Sequence, residues 1–244
     1  EMTKIIFNAD DFGYSNGINY GIIDAFKYGV LTSTTLMVTM PGTEHAVKLM
    51  KENEGLGVGL HFNISLGKPI TKGKTLVGEN NKFIKPDNLP EGFKYDENEL
   101  REELRAQYNK FIELVGKKPT HVDSHLFSSD KVPEMRKLCA EIAKEEQIPM
   151  RNFDLDFVPH VQFVQHRSYN AGPGLEYVKD NFNDILKNKY VEIMAHPGYI
   201  DSYLMNNSSY NMKRLEELDF LLSEDVKNML VSNNVELINY SNLE

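Results

Sequence analysis

The sequence contains one cysteine and no tryptophan, and it lacks a long uninterrupted apolar run. A single cysteine, Cys139, excludes an internal disulfide and is typical of a reducing compartment, so we expect a cytoplasmic location. Because no stretch of ~18 apolar residues occurs, no membrane span is predicted. The first residues also lack the basic and apolar regions of a cleaved signal peptide.

Basic residues are in the minority, with 27 Lys and Arg against 36 Asp and Glu, which gives a net charge of −9. Nucleic-acid binding requires a concentrated basic surface, so this balance argues against such a partner. The chain is 41% hydrophobic and 26% charged, which is typical of a soluble globular protein rather than a disordered one. We therefore expect neither nucleic acid nor a membrane among its partners.

Short apolar runs alternate with helical patterns along the whole chain. Such alternation predicts an α/β fold whose strands pair in parallel through right-handed crossovers, as an open sheet or a barrel. No composition break divides the sequence, so we expect one domain over residues 1–244. Polar stretches near residues 65–95 and 157–174 are predicted to be loop insertions. The predicted strands are residues 5–9, 34–39, 58–63, 120–125, 150–153, 190–195 and 235–240.

Acidic and imidazole side chains gather where the predicted strands end. In α/β folds functional residues collect at this edge of the sheet, because the loops that follow the strands form the binding cleft. A buried row of such groups is costly unless they are paired or bind a cation, so a shared site is predicted. The residues concerned are Asp10, Asp11, His61, His121, Asp123, His125 and His196.

One carboxylate and two imidazoles form a ligand set that suits a divalent cation and leaves positions open for water or substrate. We predict Asp11, His61 and His125 as the ligands, with magnesium or zinc as the expected metal. A coordinating imidazole needs an acceptor on its other nitrogen, and Asp123 or a backbone carbonyl is expected to provide it. His121 is expected to lie beside Asp123, behind the ligands.

The remaining polar residues predict hydrolytic chemistry. Asp10 is left free as a general base for a metal-activated water, which is a nucleophile for an acyl carbon. His196 lies on another strand and is the predicted acid for the departing amine or oxygen. Arg151, at the start of the predicted fifth strand, is expected to hold the Asp10 carboxylate through a bidentate ion pair.

At these positions the sequence resembles the YdjC-like carbohydrate deacetylases, which include chitooligosaccharide deacetylases. The resemblance implies a (β/α) barrel-like fold related to that of NodB-type polysaccharide deacetylases. It also implies a divalent cation on Asp11, His61 and His125, with Asp10 as base and His196 as acid. The implied reaction removes an N-acetyl group from a small amino sugar or short oligosaccharide. The matching segments are residues 8–13, 32–38, 59–61 with 67–69, 121–125 and 192–199, and the region of Arg214, Glu217 and Leu218 is also similar.

The residues that contact the sugar are less clearly marked. Family members commonly continue the fourth motif with further histidines, whereas this chain continues with Leu126-Phe127-Ser128-Ser129. Without tryptophan, tyrosine and phenylalanine must provide any surface on which a sugar ring stacks. The predicted substrate contacts are Phe12, Tyr14, Asn63, Phe127 and Tyr199.

Two other functions fit the same residues. Two histidines and a carboxylate also describe non-haem Fe(II) oxygenases, although that chemistry requires neither a second carboxylate nor a remote histidine. A non-catalytic sugar-binding or regulatory module is the other alternative, although a pure binder needs neither Asp10 nor His196. For the assembly, a homodimer is the default expectation for a soluble enzyme.

Overall fold

A parallel β-sheet of seven strands organises residues 2–244, which are the part of the chain described by the computed structural model. Six strands follow the order β4-β3-β2-β1-β6-β5, and β7 pairs with the beginning of β1. Every pairing between these strands is parallel. The strands are β1 (Lys4–Phe12), β2 (Ser33–Leu36), β3 (Gly57–Phe62), β4 (Val122–Ser124), β5 (Gln162–Val164), β6 (Tyr190–Ala195) and β7 (Glu236–Leu237).

Helices flank the sheet, which curls into a half-barrel with β4 and β5 at its edges. The predicted α/β class and parallel pairing are therefore confirmed. Among the described helices, none combines the length and the apolar character needed to cross a bilayer. The helices are α1 (Asn16–Tyr28), α2 (Thr43–Lys51), α3 (Glu97–Val115), α4 (Ser128–Lys131), α5 (Pro133–Glu146), α6 (Tyr177–Asp180), α7 (Phe182–Ile185), α8 (Ser202–Asn207), α9 (Met212–Leu222) and α10 (Glu224–Ser232).

The fifth strand lies elsewhere than the sequence pattern predicts. Residues 150–153 form only isolated bridges, in which Met150 pairs with Val122 and with Phe153. Asn152 has a φ of 53°, so the chain reverses there and cannot continue as a strand. The fifth strand is instead β5, which lies inside the predicted insertion near residues 157–174.

The predicted helix over residues 213–233 is two helices, α9 and α10, separated at Ser223. The Ser223 hydroxyl accepts a hydrogen bond from the Val226 backbone amide and thereby caps α10. A side chain that caps a new helix competes with continuation of the previous one, which explains the break.

The first insertion, near residues 65–95, is held against α3 by buried polar groups. Glu103 is fully buried and accepts hydrogen bonds from the backbone amides of Ile70 and Thr71. Gln107, one turn further along α3, exchanges hydrogen bonds with the backbone amide and carbonyl of Asn63. These contacts fix the path of the loop that leaves β3 and continues beside the functional edge of the sheet.

Close packing of α1 against the loop after β6 yields a stability prediction. A Cβ added at Gly21 would lie 2.6 Å from the Cα of Gly198, which is backbone and cannot rotate away. We expect Gly21→Ala to lower the free energy of unfolding by about 1–3 kcal/mol, measured by urea denaturation, because overpacking forces the backbone to shift. Gly172→Ala is the control, since a Cβ there meets nothing within 4 Å. Equal stability of the two variants would contradict this packing.

Candidate metal centre and active site

A β-bulge at the end of β1 brings two consecutive carboxylates to one site. The register between β1 and β2 shifts between Ala9 and Phe12, and Asp11 has a φ of 72°. In a regular strand Asp10 and Asp11 would point to opposite faces of the sheet. The bulge and the left-handed residue remove this alternation, and both side chains line the same cavity.

The three predicted metal ligands form a compact, buried cluster. Ligand atoms of Asp11, His61 and His125 all lie within 4.8 Å of one another. The Asp11 Oδ1 atom is 3.2 Å from His61 Nε2 and 2.9 Å from His125 Nδ1. Distant parts of the sequence, at the ends of β1, β3 and β4, therefore converge on one carboxylate oxygen.

His125 reaches the cluster from a turn rather than from a strand. The sequence pattern extends the fourth strand to His125, but β4 ends at Ser124 and a 3-10 turn follows. Leu126 and Phe127 both have left-handed backbones, with φ of 53° and 56°. Two consecutive non-glycine residues in this region are uncommon and costly, and such strain is typical of functional sites.

A buried carboxylate orients the His61 ring. Asp123 Oδ1 lies 2.6 Å from His61 Nδ1, so the other nitrogen of that ring is directed towards Asp11. His121 lies deeper, where its ring stacks on Tyr240 at 3.9 Å between centroids. Burial lowers the pKa of His121 to about 3, so its ring is neutral at physiological pH.

Neighbouring charges and burial set the protonation states of the cluster. Burial by itself raises the pKa of Asp11, but His125 and Arg214 hold that pKa well below its usual range. Burial likewise disfavours a charged His61, yet the carboxylates of Asp123 and Asp11 raise its pKa to about 10. Burial lowers the pKa of His125. A proton on His61 provides the positive charge between the carboxylates.

Asp10 is held as the sequence analysis predicts. Arg151 donates from Nη1 to Asp10 Oδ2 at 2.9 Å and from Nη2 to Oδ1 at 2.6 Å, a bidentate pair. Asn8 donates a further hydrogen bond of 2.9 Å to Oδ1. His196 Nε2 lies 3.6 Å from Asp10 Oδ2, so the predicted acid and base face each other.

The sequence motifs assign no role to three buried charged residues that lie at this site. Arg214 donates from Nη2 to Asp11 Oδ2 at 2.9 Å, and Glu217 accepts the backbone amide of His196 at 2.9 Å. Both lie on the buried face of α9, three residues apart, where a charged residue is unusual. The third is Glu192 in the centre of β6, where an acid interrupts an otherwise apolar strand.

A cavity of about 230 Å³ brings the predicted catalytic groups to one surface. Asp10, Asp11, His125 and His196 all contribute to its lining. Arg151 and His61 lie behind these residues and are buried. The cavity can therefore admit a small ligand to Asp10, Asp11, His125 and His196, while Arg151 contacts Asp10, and His61 contacts Asp11, from the buried side.

Both predicted insertions contribute to the cavity wall. Leu66 and Lys85 come from the first insertion, and His166 and Arg167 come from the second. The Arg167 guanidinium lies 4.9 Å from the centre of the Phe127 ring, so the second insertion contacts the turn after β4 at the cavity wall.

The predicted sugar contacts are divided between the cavity and other parts of the fold. Tyr14 and Phe127 line the cavity. Phe12 is fully buried in the core, and Asn63 accepts backbone hydrogen bonds within the loop after β3. Tyr199 is partly exposed and donates to Asp24 on α1. The structure therefore does not bring these last three side chains to the cavity.

Comparison with known sequences assigns the chain to a family. The sequence model of the YdjC-like protein family matches residues 4–232, and the chain belongs to this family. The family predicted from the sequence motifs is thereby confirmed. The chain is 48% identical to carbohydrate deacetylase 2 from Listeria innocua serovar 6a, over 98% of both chains.

Solved structures share the fold. A crystal structure from Enterococcus faecalis V583, described as a candidate cellobiose-phosphate cleavage protein, superposes with a TM-score of 0.86 at 28% identity. The superposition covers 99% of this chain and 98% of that chain. The catalytic domain of a peptidoglycan N-acetylglucosamine deacetylase from Eubacterium rectale has the same fold, with a TM-score of 0.55 at 12% identity over 98% and 88% of the two chains.

Proposed function

We propose that this protein is a metal-dependent hydrolase that removes an N-acetyl group from a small amino sugar or short oligosaccharide. The observation that carries the proposal is one small cavity where a buried Asp/His/His cluster, a clamped carboxylate and a facing histidine meet. The enzyme class, carbohydrate deacetylase, is that of the Listeria innocua relative. We propose that residues 1–244 form one catalytic domain.

The donor set fits a divalent cation. Asp11 provides an ionised oxygen, and the two imidazoles provide nitrogen ligands of the kind that zinc and other divalent ions accept. All three side chains are buried, so their charge and dipoles act in a low dielectric. A cation held there would supply Lewis acidity towards an acetyl carbonyl and a water of lowered pKa.

The chain's own residues provide the proton transfers. Asp10 accepts the proton of the attacking water, and Arg151 keeps both Asp10 oxygens in a fixed orientation. His196, on the other side of the same carboxylate, donates a proton to the amine as the amide bond breaks. Because base and acid face each other across 3.6 Å, both reach a single acetamide group.

The cavity dimensions support a small substrate. A volume of about 230 Å³ matches a single sugar residue with its acetamide group better than a long polymer. Phe127 offers aromatic surface to an apolar sugar face, and the Arg167 side chain backs its ring, whereas Tyr14 is a buried part of the cavity wall.

An acetate-release screen tests this function directly. Stripped protein is incubated with N-acetylated mono- and oligosaccharides, with magnesium or zinc added, in the absence of oxygen and reductant. We expect acetate release that depends on added metal. Turnover that requires Fe(II) and oxygen would indicate an oxygenase instead, and tight sugar binding without any acetate would indicate a binding module.

Metal affinity should depend on pH. Because the pKa of His61 is raised to about 10 in the metal-free protein, an incoming cation must displace its proton at neutral pH. The charged ring stabilises the metal-free fold below about pH 6.5, and this stabilisation is lost as the pH rises through about 10. We expect metal affinity to increase about tenfold per pH unit between about pH 7 and 9. Calorimetric titrations in buffers of different ionisation enthalpy would measure the proton released, and a pH-independent affinity would contradict the assignment.

A further inference from the structure

A polar layer lies inside the half-barrel, beneath the cavity, and its members are buried. Glu192 in β6 is fully buried, and Tyr240, in the 3-10 turn after β7, is 4% exposed. The Tyr240 hydroxyl donates to Glu192 Oε1, and its ring stacks on His121, the residue before β4. The last turn of the chain thus spans the interior from β6 to β4.

Glu192 connects this layer to the site. Its Oε2 atom accepts hydrogen bonds from Arg151 Nε at 2.8 Å and from Arg151 Nη2 at 2.6 Å. The same guanidinium holds Asp10 through its outer nitrogens. A continuous series of contacts therefore runs from the C-terminal turn to the Asp10 carboxylate.

We propose that Tyr240 and Glu192 are positioning residues for Arg151. Through Arg151 they hold the Asp10 carboxylate, and the inference rests on the proposed function, in which that carboxylate is the base. The family's sequence model ends its match at residue 232, so Tyr240 lies beyond the part of the chain that the family comparison covers.

The geometry explains why Glu192 needs Tyr240. Arg151 faces three carboxylates, since Asp123 Oδ2 lies 3.0 Å from Nη2 in addition to Asp10 and Glu192. One guanidinium cannot satisfy every oxygen of three acids, and Oε1 of Glu192 receives its hydrogen bond from Tyr240. Without that hydroxyl, a buried carboxylate oxygen loses its donor, which favours reorientation of Glu192 away from Arg151.

Steady-state kinetics of Tyr240→Phe test the proposal with acetate release as the assay. The substitution removes only the hydroxyl and keeps the ring that stacks on His121. We expect kcat to fall ~10-fold and KM to stay within ~2-fold, because a supporting contact acts on the geometry of the base rather than on sugar binding. Glu192→Gln should lower kcat by at least as much. Adding Tyr240→Phe to Glu192→Gln should cause no further loss, since Tyr240 acts only through Glu192.

Tyr190→Phe is the matched control. Tyr190 is also buried, and its hydroxyl donates to the backbone carbonyl of Glu244, so it holds the same C-terminal segment through a hydrogen bond that does not involve Glu192. We expect wild-type kcat for this variant. Equal loss in the two tyrosine variants, or full activity in Tyr240→Phe, would overturn the positioning role.

A second measurement is independent of turnover. Nuclear magnetic resonance of protein labelled with ¹⁵N-arginine follows the exchange of the Arg151 Nε proton with solvent. We expect slow exchange in the wild type and in Tyr190→Phe, and faster exchange in Tyr240→Phe and Glu192→Gln. If no sugar yields acetate, the proposed function fails, yet unchanged exchange in Tyr240→Phe would still overturn the positioning of Arg151.

Discussion

Asp10→Asn should reduce kcat by ~10²–10⁴-fold, the contribution typical of a general base, while the protein keeps its metal. Asparagine has the shape of aspartate and can accept a hydrogen bond from Arg151, but it cannot take a proton from water. Asp10 is not among the proposed ligands Asp11, His61 and His125, and Arg151 already binds both of its oxygens, so metal content should match that of the wild type. Acetate-release kinetics together with elemental analysis of the dialysed protein measure both quantities.

Asp225→Asn is the control for this substitution, because Asp225 is an exposed carboxylate in the first turn of α10, away from the cavity. It should leave kcat and metal content unchanged. Near-normal turnover of metal-replete Asp10→Asn would remove Asp10 from the role of base. Loss of metal from that variant would make Asp10 a ligand instead.

His125→Ala should lose both the metal and the activity. The alanine leaves Asp11 and His61 as a two-residue set, and it removes the imidazole whose Nδ1 lies 2.9 Å from Asp11 Oδ1. With one of three ligands absent, we expect metal content near zero after dialysis and acetate release at background. High added metal should restore only part of the activity.

His160→Ala provides a matched control. His160 belongs to the second insertion, is exposed and pairs with Asp154 rather than with the cluster. We expect it to retain metal and turnover. A His125→Ala protein that binds metal like the wild type and still releases acetate would exclude His125 from the site.

The fold class was easier to predict from the sequence than the local geometry around the candidate site. Strands that alternate with helices place His61 and His196 at one edge of a parallel sheet, and that inference requires only the fold class. The bulge that brings Asp10 and Asp11 together depends on a left-handed residue at Asp11, which the pattern of residue types does not specify. The same holds for His125, which a turn rather than strand alternation directs to the cluster.

Residues outside the motifs were harder to assign. Arg214 and Glu217 reach the site because α9 packs with its buried face towards it, and the order of helices around the sheet is a tertiary property.

The roles of aromatic residues next to a motif were equally hard to predict. Phe127 lines the cavity, whereas Phe12 is buried in the core. A position next to a motif residue does not fix the direction of a side chain, because neighbouring residues in the chain point in different directions.

The central claim is that Asp11, His61 and His125 bind one divalent cation. Anomalous diffraction from zinc-soaked crystals, collected on both sides of the zinc absorption edge, tests it most directly. The account predicts one strong peak about 2.0–2.2 Å from a donor atom of each of the three residues. A fully occupied zinc at other side chains, with these three still in direct contact with one another, would contradict it.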